Sequence, residues 1–137
     1  MAAGKTDTEP VIYIVDDDES VRRALSRLLQ SVGMRAKAFS SPAELLQHGH
    51  PDEPGCVLLD IRLPGMNGFE LHSRMLVAGY RSPIIFITAH PEDRRNMGEA
   101  VDFVAFLEKP FDDRSLLGAI EIALARCAKE RGRPGMA

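Results

Sequence analysis

Three carboxylates stand at the ends of two separate apolar runs. Val11-Ile12-Tyr13-Ile14-Val15 stops at Asp16-Asp17-Asp18, and Cys56-Val57-Leu58-Leu59 stops at Asp60. Two carboxylates about 4 Å apart repel by about 4 kcal/mol at an effective dielectric near 20, a cost that protonation or a bound divalent metal must offset. If the two runs are neighbouring strands, their carboxyl ends form one pocket for a hard, oxygen-loving ion such as magnesium. Two later runs end on complementary groups. Ile84-Ile85-Phe86-Ile87 stops at Thr88, and Val104-Ala105-Phe106-Leu107-Glu108 stops at Lys109-Pro110, which adds one hydroxyl and one fixed cation.

The elements that must position these residues alternate between short β-rich runs and longer stretches of helical period. Val21, Ala24, Leu25, Leu28, Leu29 and Val32 make one apolar stripe on a first helix that ends at Gly33. Arg35 to Phe39 reads as strand two, alternating like an edge strand. Ser41-Pro42-Ala43-Glu44 looks like a capping box that opens a second helix, running to about Gln47. After a loop from His48 to Gly55 comes strand three, and Asn67 is placed to cap a third helix to about Ala78. A fourth helix must be built from Arg94 to Ala100. Asn96 and Gly98 make it poor, so it is expected to be short and mobile. Asp112 can cap a fifth, with Leu116, Ile120, Ala123, Leu124 and Cys127 on one face.

Five strands alternating with helices imply right-handed βαβ units, hence an α/β fold: a doubly wound five-stranded parallel sheet with helices on both faces. In such sheets ligands sit beyond the carboxyl ends of the strands, where all the candidate residues fall. With 137 residues there is room for one domain, read as 10–128 between a flexible start at 1–9 and a tail or linker at 129–137. A net charge of −3 argues against direct nucleic-acid binding by this chain. No apolar run is long enough to span a membrane and no signal core opens the chain, so a cytoplasmic location is expected. Cys56 and Cys127 lack any paired metal or redox spacing and read as buried apolar residues of a strand and a helix.

Four motifs in order, Ile14-Val15-Asp16-Asp17-Asp18-Glu19, Leu58-Leu59-Asp60-Ile61-Arg62-Leu63-Pro64-Gly65-Met66-Asn67-Gly68, Ile87-Thr88-Ala89 and Leu107-Glu108-Lys109-Pro110-Phe111, resemble the receiver domain of bacterial two-component response regulators. The resemblance covers about residues 10 to 128, and the subgroup often carries a helix-turn-helix DNA-binding domain after the receiver. It implies a flavodoxin-like strand order, 2-1-3-4-5, and a signalling switch rather than an enzyme. Asp60 would take a phosphoryl group from a histidine kinase or phosphotransfer protein. Mg2+ would be held by Asp16, Asp17, Asp60 and the backbone carbonyl of Arg62, with Asp16 acting through water. Lys109 would pair with one phosphoryl oxygen and Thr88 would swing to another. Phe106 would follow and remodel the face of helix four, strand five and helix five, through which a homodimer could form. The resemblance also implies a cis peptide before Pro110, and places Arg62 and His90 where they would tune the lifetime of the phosphorylated state.

Simpler readings apply to several residues. Asp18 and Glu19 fit the first turn of helix one, and His72 and His90 have no partner at ligand spacing and are expected at the surface. Arg126, Lys129, Arg131 and Arg133 read as cations complementing the end of the last helix. A rival enzyme reading takes Asp16 as nucleophile and Asp18 as general acid of a haloacid dehalogenase-like phosphatase, which leaves Asp60 and Thr88 without roles. A third reading is an interaction module that never sees phosphate.

Overall fold

The computed structural model describes residues 9–97 and 101–131. Five strands, β1 (Val11–Val15), β2 (Arg35–Phe39), β3 (Gly55–Asp60), β4 (Ile84–Thr88) and β5 (Ala105–Glu108), form one sheet in the order β2-β1-β3-β4-β5. Every pairing is parallel. The doubly wound fold read from the alternation of elements is therefore the one observed. β1, β3 and β4 are buried at every position, as continuous apolar runs in the middle of a sheet covered on both faces should be.

Among the described residues four α-helices cover the sheet: α1 (Glu19–Ser31), α2 (Pro42–His48), α3 (Gly68–Val77) and α4 (Asp113–Arg131). Alternation along each strand sends its side chains to two separate cores. Val11, Tyr13, Val15, Leu59 and Phe86 pack with Leu45 of α2 and Leu71 and Met75 of α3. Ile12, Ile14, Leu58 and Ile85 pack with Leu25 and Leu29 of α1 and Leu116, Ile120 and Ala123 of α4.

The helices start where the sequence places caps. Asp18 accepts from the backbone N–H of Ser20 at 2.8 Å and of Val21 at 3.4 Å. Asn67 and Glu70 form a reciprocal box at α3. At α2 the box is displaced by one residue: Ser41 accepts from Glu44 N–H at 3.1 Å, but the Glu44 carboxylate returns to the N–H of Ser40 at 2.6 Å, not to that of Ser41.

Two expectations need correction. The fourth helix sought over residues 94 to 100 is instead a 3-10 turn over Pro91–Asn96, with residues 98–100 outside the described set. Pro91 fixes the first φ of that turn, so the helical geometry starts three residues early and gives out at Asn96. The final helix of the sequence reading is thus α4, Asp113–Arg131. His72, expected at the surface, is buried on α3 with its ring 6.0 Å from that of Phe86. Burial holds its imidazole below the usual pKa range. Of the basic tail, Arg126 reaches Asp102 at 3.5 Å, while Arg133 lies outside the described residues.

Gly68, the first residue of α3, donates its N–H to the carbonyl of Ile61 at 2.8 Å. A Cβ there would meet the Asp60 carbonyl oxygen at 2.7 Å and Ile61 Cα at 2.9 Å, both backbone atoms that cannot step aside. Gly to Ala inside a helix ordinarily stabilises by up to about 1 kcal/mol. Here the overlap, of the order of 1–3 kcal/mol for overpacking, outweighs that gain. Gly68→Ala should lower the urea-unfolding free energy by about 1–2 kcal/mol, where propensity alone would raise it.

Candidate functional site

The carboxyl ends of β1, β3, β4 and β5 converge because each ladder continues one residue past its strand. The N–H of Asp16 reaches the carbonyl of Phe39 at 3.2 Å, that of Ile61 the carbonyl of Ile87 at 3.0 Å, and that of Lys109 the carbonyl of Thr88 at 2.7 Å. With Val15 paired to Leu59, the next residues in register are Asp16 and Asp60. Asp16, Asp60, Thr88 and Lys109 are thus fixed by sheet hydrogen bonds, whereas Asp17 lies in the turn beyond β1.

Asp16, Asp17 and Asp60 each offer a carboxylate oxygen within 4.8 Å of the others. Asp16 and Asp60 are buried, whereas Asp17 is exposed at the rim. Lys109 Nζ bridges the buried pair, 3.0 Å from Asp16 Oδ2 and 3.3 Å from Asp60 Oδ2. The remaining oxygens are held by backbone donors: Asp18 N–H to Asp16 Oδ1 at 2.9 Å and Arg62 N–H to Asp60 Oδ1 at 3.0 Å. The peptide between Lys109 and Pro110 is cis, as the motif implied. Three carboxylates against one ammonium leave a surplus of two negative charges, which matches one divalent cation, and an all-oxygen donor set suits a hard one. The residues present fit magnesium.

Burial is the main influence on the Asp60 carboxyl, and with the adjacent Asp16 it pushes the pKa up to about 6 from 3.8, against the N–H of Arg62 and the charge of Lys109. Burial disfavours the Lys109 ammonium too. Its hydrogen bonds and proximity to Asp16 and Asp60 more than offset this and hold the group above its usual range.

Thr88 is fully buried, and its hydroxyl is already occupied. It donates to Asp93 Oδ2 at 2.6 Å and accepts the N–H of His90 at 3.0 Å. Asp93, on the 3-10 turn, in turn holds the Arg62 guanidinium through Nε at 3.1 Å and Nη2 at 2.8 Å. That pairing is the largest cause keeping the Asp93 carboxyl below the ordinary range. Arg62, Asp93, Asp17 and Asn67 line a cleft of about 430 Å3 beside the acidic cluster. His90 is exposed, with Nδ1 3.7 Å from Glu92. Phe106 is half-buried on β5, its ring 6.2 Å from Phe86 and under the Arg94 guanidinium at 5.7 Å.

The structure therefore gathers Asp16, Asp17, Asp60 and Lys109 into one cluster and sets Thr88 and Arg62 on its flank, joined to each other by Asp93. Sequence reasoning missed Asp93. An acid after Pro91 reads as an ordinary first-turn residue, and nothing in its spacing ties it to a guanidinium 31 positions earlier. Asp18, the general acid of the phosphatase reading, spends its carboxylate on capping α1.

The raised Asp60 pKa gives a pH dependence of unusual sign. Without metal the folded state binds the Asp60 proton more tightly than the unfolded chain, so the contribution of this group to stability grows as pH falls from about 6 to about 4. A shift of this size corresponds to roughly 2–3 kcal/mol. Urea unfolding in chelator should show this rise, and Asp60→Asn should remove it. Magnesium affinity, followed by isothermal titration, should fall as pH drops through 6, because a protonated carboxyl is a poor ligand.

Comparison with known proteins agrees with this geometry. The profile of the response regulator receiver domain matches residues 12–121. Nodulation protein W of Bradyrhizobium diazoefficiens is 43% identical over 128 residues, covering 90% of this chain and 55% of the relative. Among solved structures, the response regulator StyR superposes with a TM-score of 0.83 at 37% identity, covering 93% of this chain and 65% of that one. FixJ-N superposes with a TM-score of 0.73 at 32% identity, covering 85% and 94%. The chain spans just over half the length of the curated relatives it matches. Strand order, the lysine-bridged acids and the near-complete overlap with FixJ-N all say the same thing: this chain belongs to the response regulator receiver domain family.

Proposed function

We propose that this chain is the phosphate-accepting switch of a two-component signalling system, with Asp60 as the acceptor. The observation that carries the reading is the Lys109 ammonium set between Asp16 and Asp60 at the ends of adjacent strands. One Asp60 oxygen attacks the phosphorus of a phosphohistidine on a histidine kinase or phosphotransfer protein. The P–N bond breaks, its electron pair stays on the imidazole, and an aspartyl phosphate forms. A carboxylate is competent here when the charge on the phosphoryl group is neutralised, so the work lies in positioning and electrostatics.

Lys109 neutralises one phosphoryl oxygen as a compact point charge. Asp16, Asp17, Asp60 and the Arg62 backbone carbonyl would hold Mg2+, which when bound supplies further neutralisation of phosphoryl charge. Thr88 turns its hydroxyl to a second phosphoryl oxygen, and Phe106 moves with it. Arg62 and His90, two residues beyond Asp60 and Thr88, set how fast water removes the group. The protein is thus a switch that catalyses its own loading and unloading, not an enzyme that turns over a free substrate. Among the described residues no helix is long and apolar enough to cross a membrane, which is compatible with the cytoplasmic location we assign. A homodimer through β5 and α4 would cover Ile122, which is exposed on α4.

An apolar groove of about 900 Å3, lined by Val21, Ala24, Leu28, Pro110 and Phe111, opens beside Lys109. Lys109 lines it too, which suits the groove to receive the partner that carries the phosphohistidine.

Two measurements test the reading. Acetyl phosphate should label the protein at Asp60 in a magnesium-dependent way, Asp60→Asn should take up no label, and labelling of Asp16 would instead favour the phosphatase. Ala24→Glu, which places a charge on the exposed rim of the groove with only a small loss of helix propensity, should slow transfer from a cognate kinase by about tenfold while leaving labelling by acetyl phosphate unchanged.

A further inference from the structure

We infer that Asp93 is a positioning residue that holds the Thr88 hydroxyl in reserve, so that a phosphoryl group on Asp60 must displace a resident anion to engage the switch. The inference rests on the reading of Asp60 as acceptor and adds a residue that this reading does not contain.

The stoichiometry of one hydroxyl carries the argument. Thr88 has a single proton to donate, and it gives it to Asp93 Oδ2 at 2.6 Å. The lone pairs are not idle either, since the N–H of His90 points at Oγ1 from 3.0 Å. Thr88 is wholly buried, and these are the two partners its hydroxyl has in the resting fold. An oxygen arriving on Asp60 can therefore gain the Thr88 proton only if Asp93 loses it.

Asp93 can tolerate that loss because it is not held by Thr88 alone. Its carboxylate keeps a forked contact with Arg62, through Nε to Oδ1 at 3.2 Å and Oδ2 at 3.1 Å, and through Nη2 to Oδ1 at 2.8 Å. Arg62 itself is tied to the acceptor, because its backbone N–H donates to Asp60 Oδ1. The chain of contacts runs from Asp60 through Arg62 and Asp93 to Thr88 and joins the loop after β3 to the loop after β4. Two anions thus compete for one proton: Asp93 in the resting state and the phosphoryl group in the loaded one. The fraction of molecules with Thr88 free sets the apparent affinity for a phosphoryl mimic.

The test uses the full chain with beryllofluoride and magnesium as the phosphoryl mimic. Removing the competitor in Asp93→Ala should tighten the apparent beryllofluoride affinity by about fivefold to tenfold. In a Thr88→Val background, where no hydroxyl is contested, the same substitution should change nothing. Unchanged or weaker binding by Asp93→Ala, or an equal gain in the Thr88→Val background, overturns the assignment. A second readout needs no variant that might unfold: in carboxyl 13C NMR of the wild-type protein, the Asp93 Cγ resonance should move on saturation with beryllofluoride. A stationary resonance in a protein that binds the mimic overturns the role of Asp93 while leaving Asp60 as acceptor. Failure of the wild-type protein to bind the mimic at all removes both.

Discussion

Everything at the site depends on the Lys109 ammonium lying within 3.3 Å of two buried carboxylates. Like charges on adjacent strand ends cannot be relieved by moving apart, because ladder hydrogen bonds continue through Asp16, Ile61 and Lys109. The sheet therefore confines the repulsion and the lysine compensates only part of it. Removing one partner of a buried charge set leaves the rest uncompensated, which costs far more than any gain from placing it there. What remains is a surplus of negative charge, with the pKa of one carboxyl pushed up to about 6. Such a site gains most from cations, and a phosphoryl group arriving on Asp60 adds negative charge of its own and raises that demand.

The parts legible in the sequence were those whose signal is local. β1, β3 and β4 announce themselves as unbroken apolar runs, and β2 falls at Arg35–Phe39 as read, since Gly33 and Ser40 bracket it. β5 is shorter by a residue at its start, although the N–H of Val104 still bonds the carbonyl of Ile84 at 2.8 Å. The error at His72 was avoidable. Gly68, Leu71, His72 and Met75 repeat at the spacing of one helical face, and all four are buried on α3. A polar residue inside such a stripe belongs to the stripe. The turn at Pro91–Asn96 was harder, because the motifs that flank it required a connection but said nothing of its pitch. Asp93 was out of reach, since its role needs two loops, from either side of β4, brought together by tertiary folding.

The contrast between pinned and exchangeable groups explains how a charge placed on Asp60 can be felt at the surface. Asp16, Asp60 and Lys109 sit on extended ladders and have nowhere to go. Thr88 shares a β4 face with Phe86, two residues before it, and both are completely buried. Phe86 is registered against Phe106 across the β4–β5 pair, with ring centroids 6.2 Å apart. In a close-packed interior, a hydroxyl that turns toward Asp60 vacates space that some neighbour must occupy. Phe69, Phe103 and Phe106 ring Phe86 and are all half-buried, and of these Phe106 lies on the edge strand, in register with Phe86, where it can swing inward. On the proposed mechanism the Phe106 ring moves because it is half-buried on the edge strand and in register with Phe86, and its departure from beneath Arg94 changes both the shape and the charge of the β5 surface.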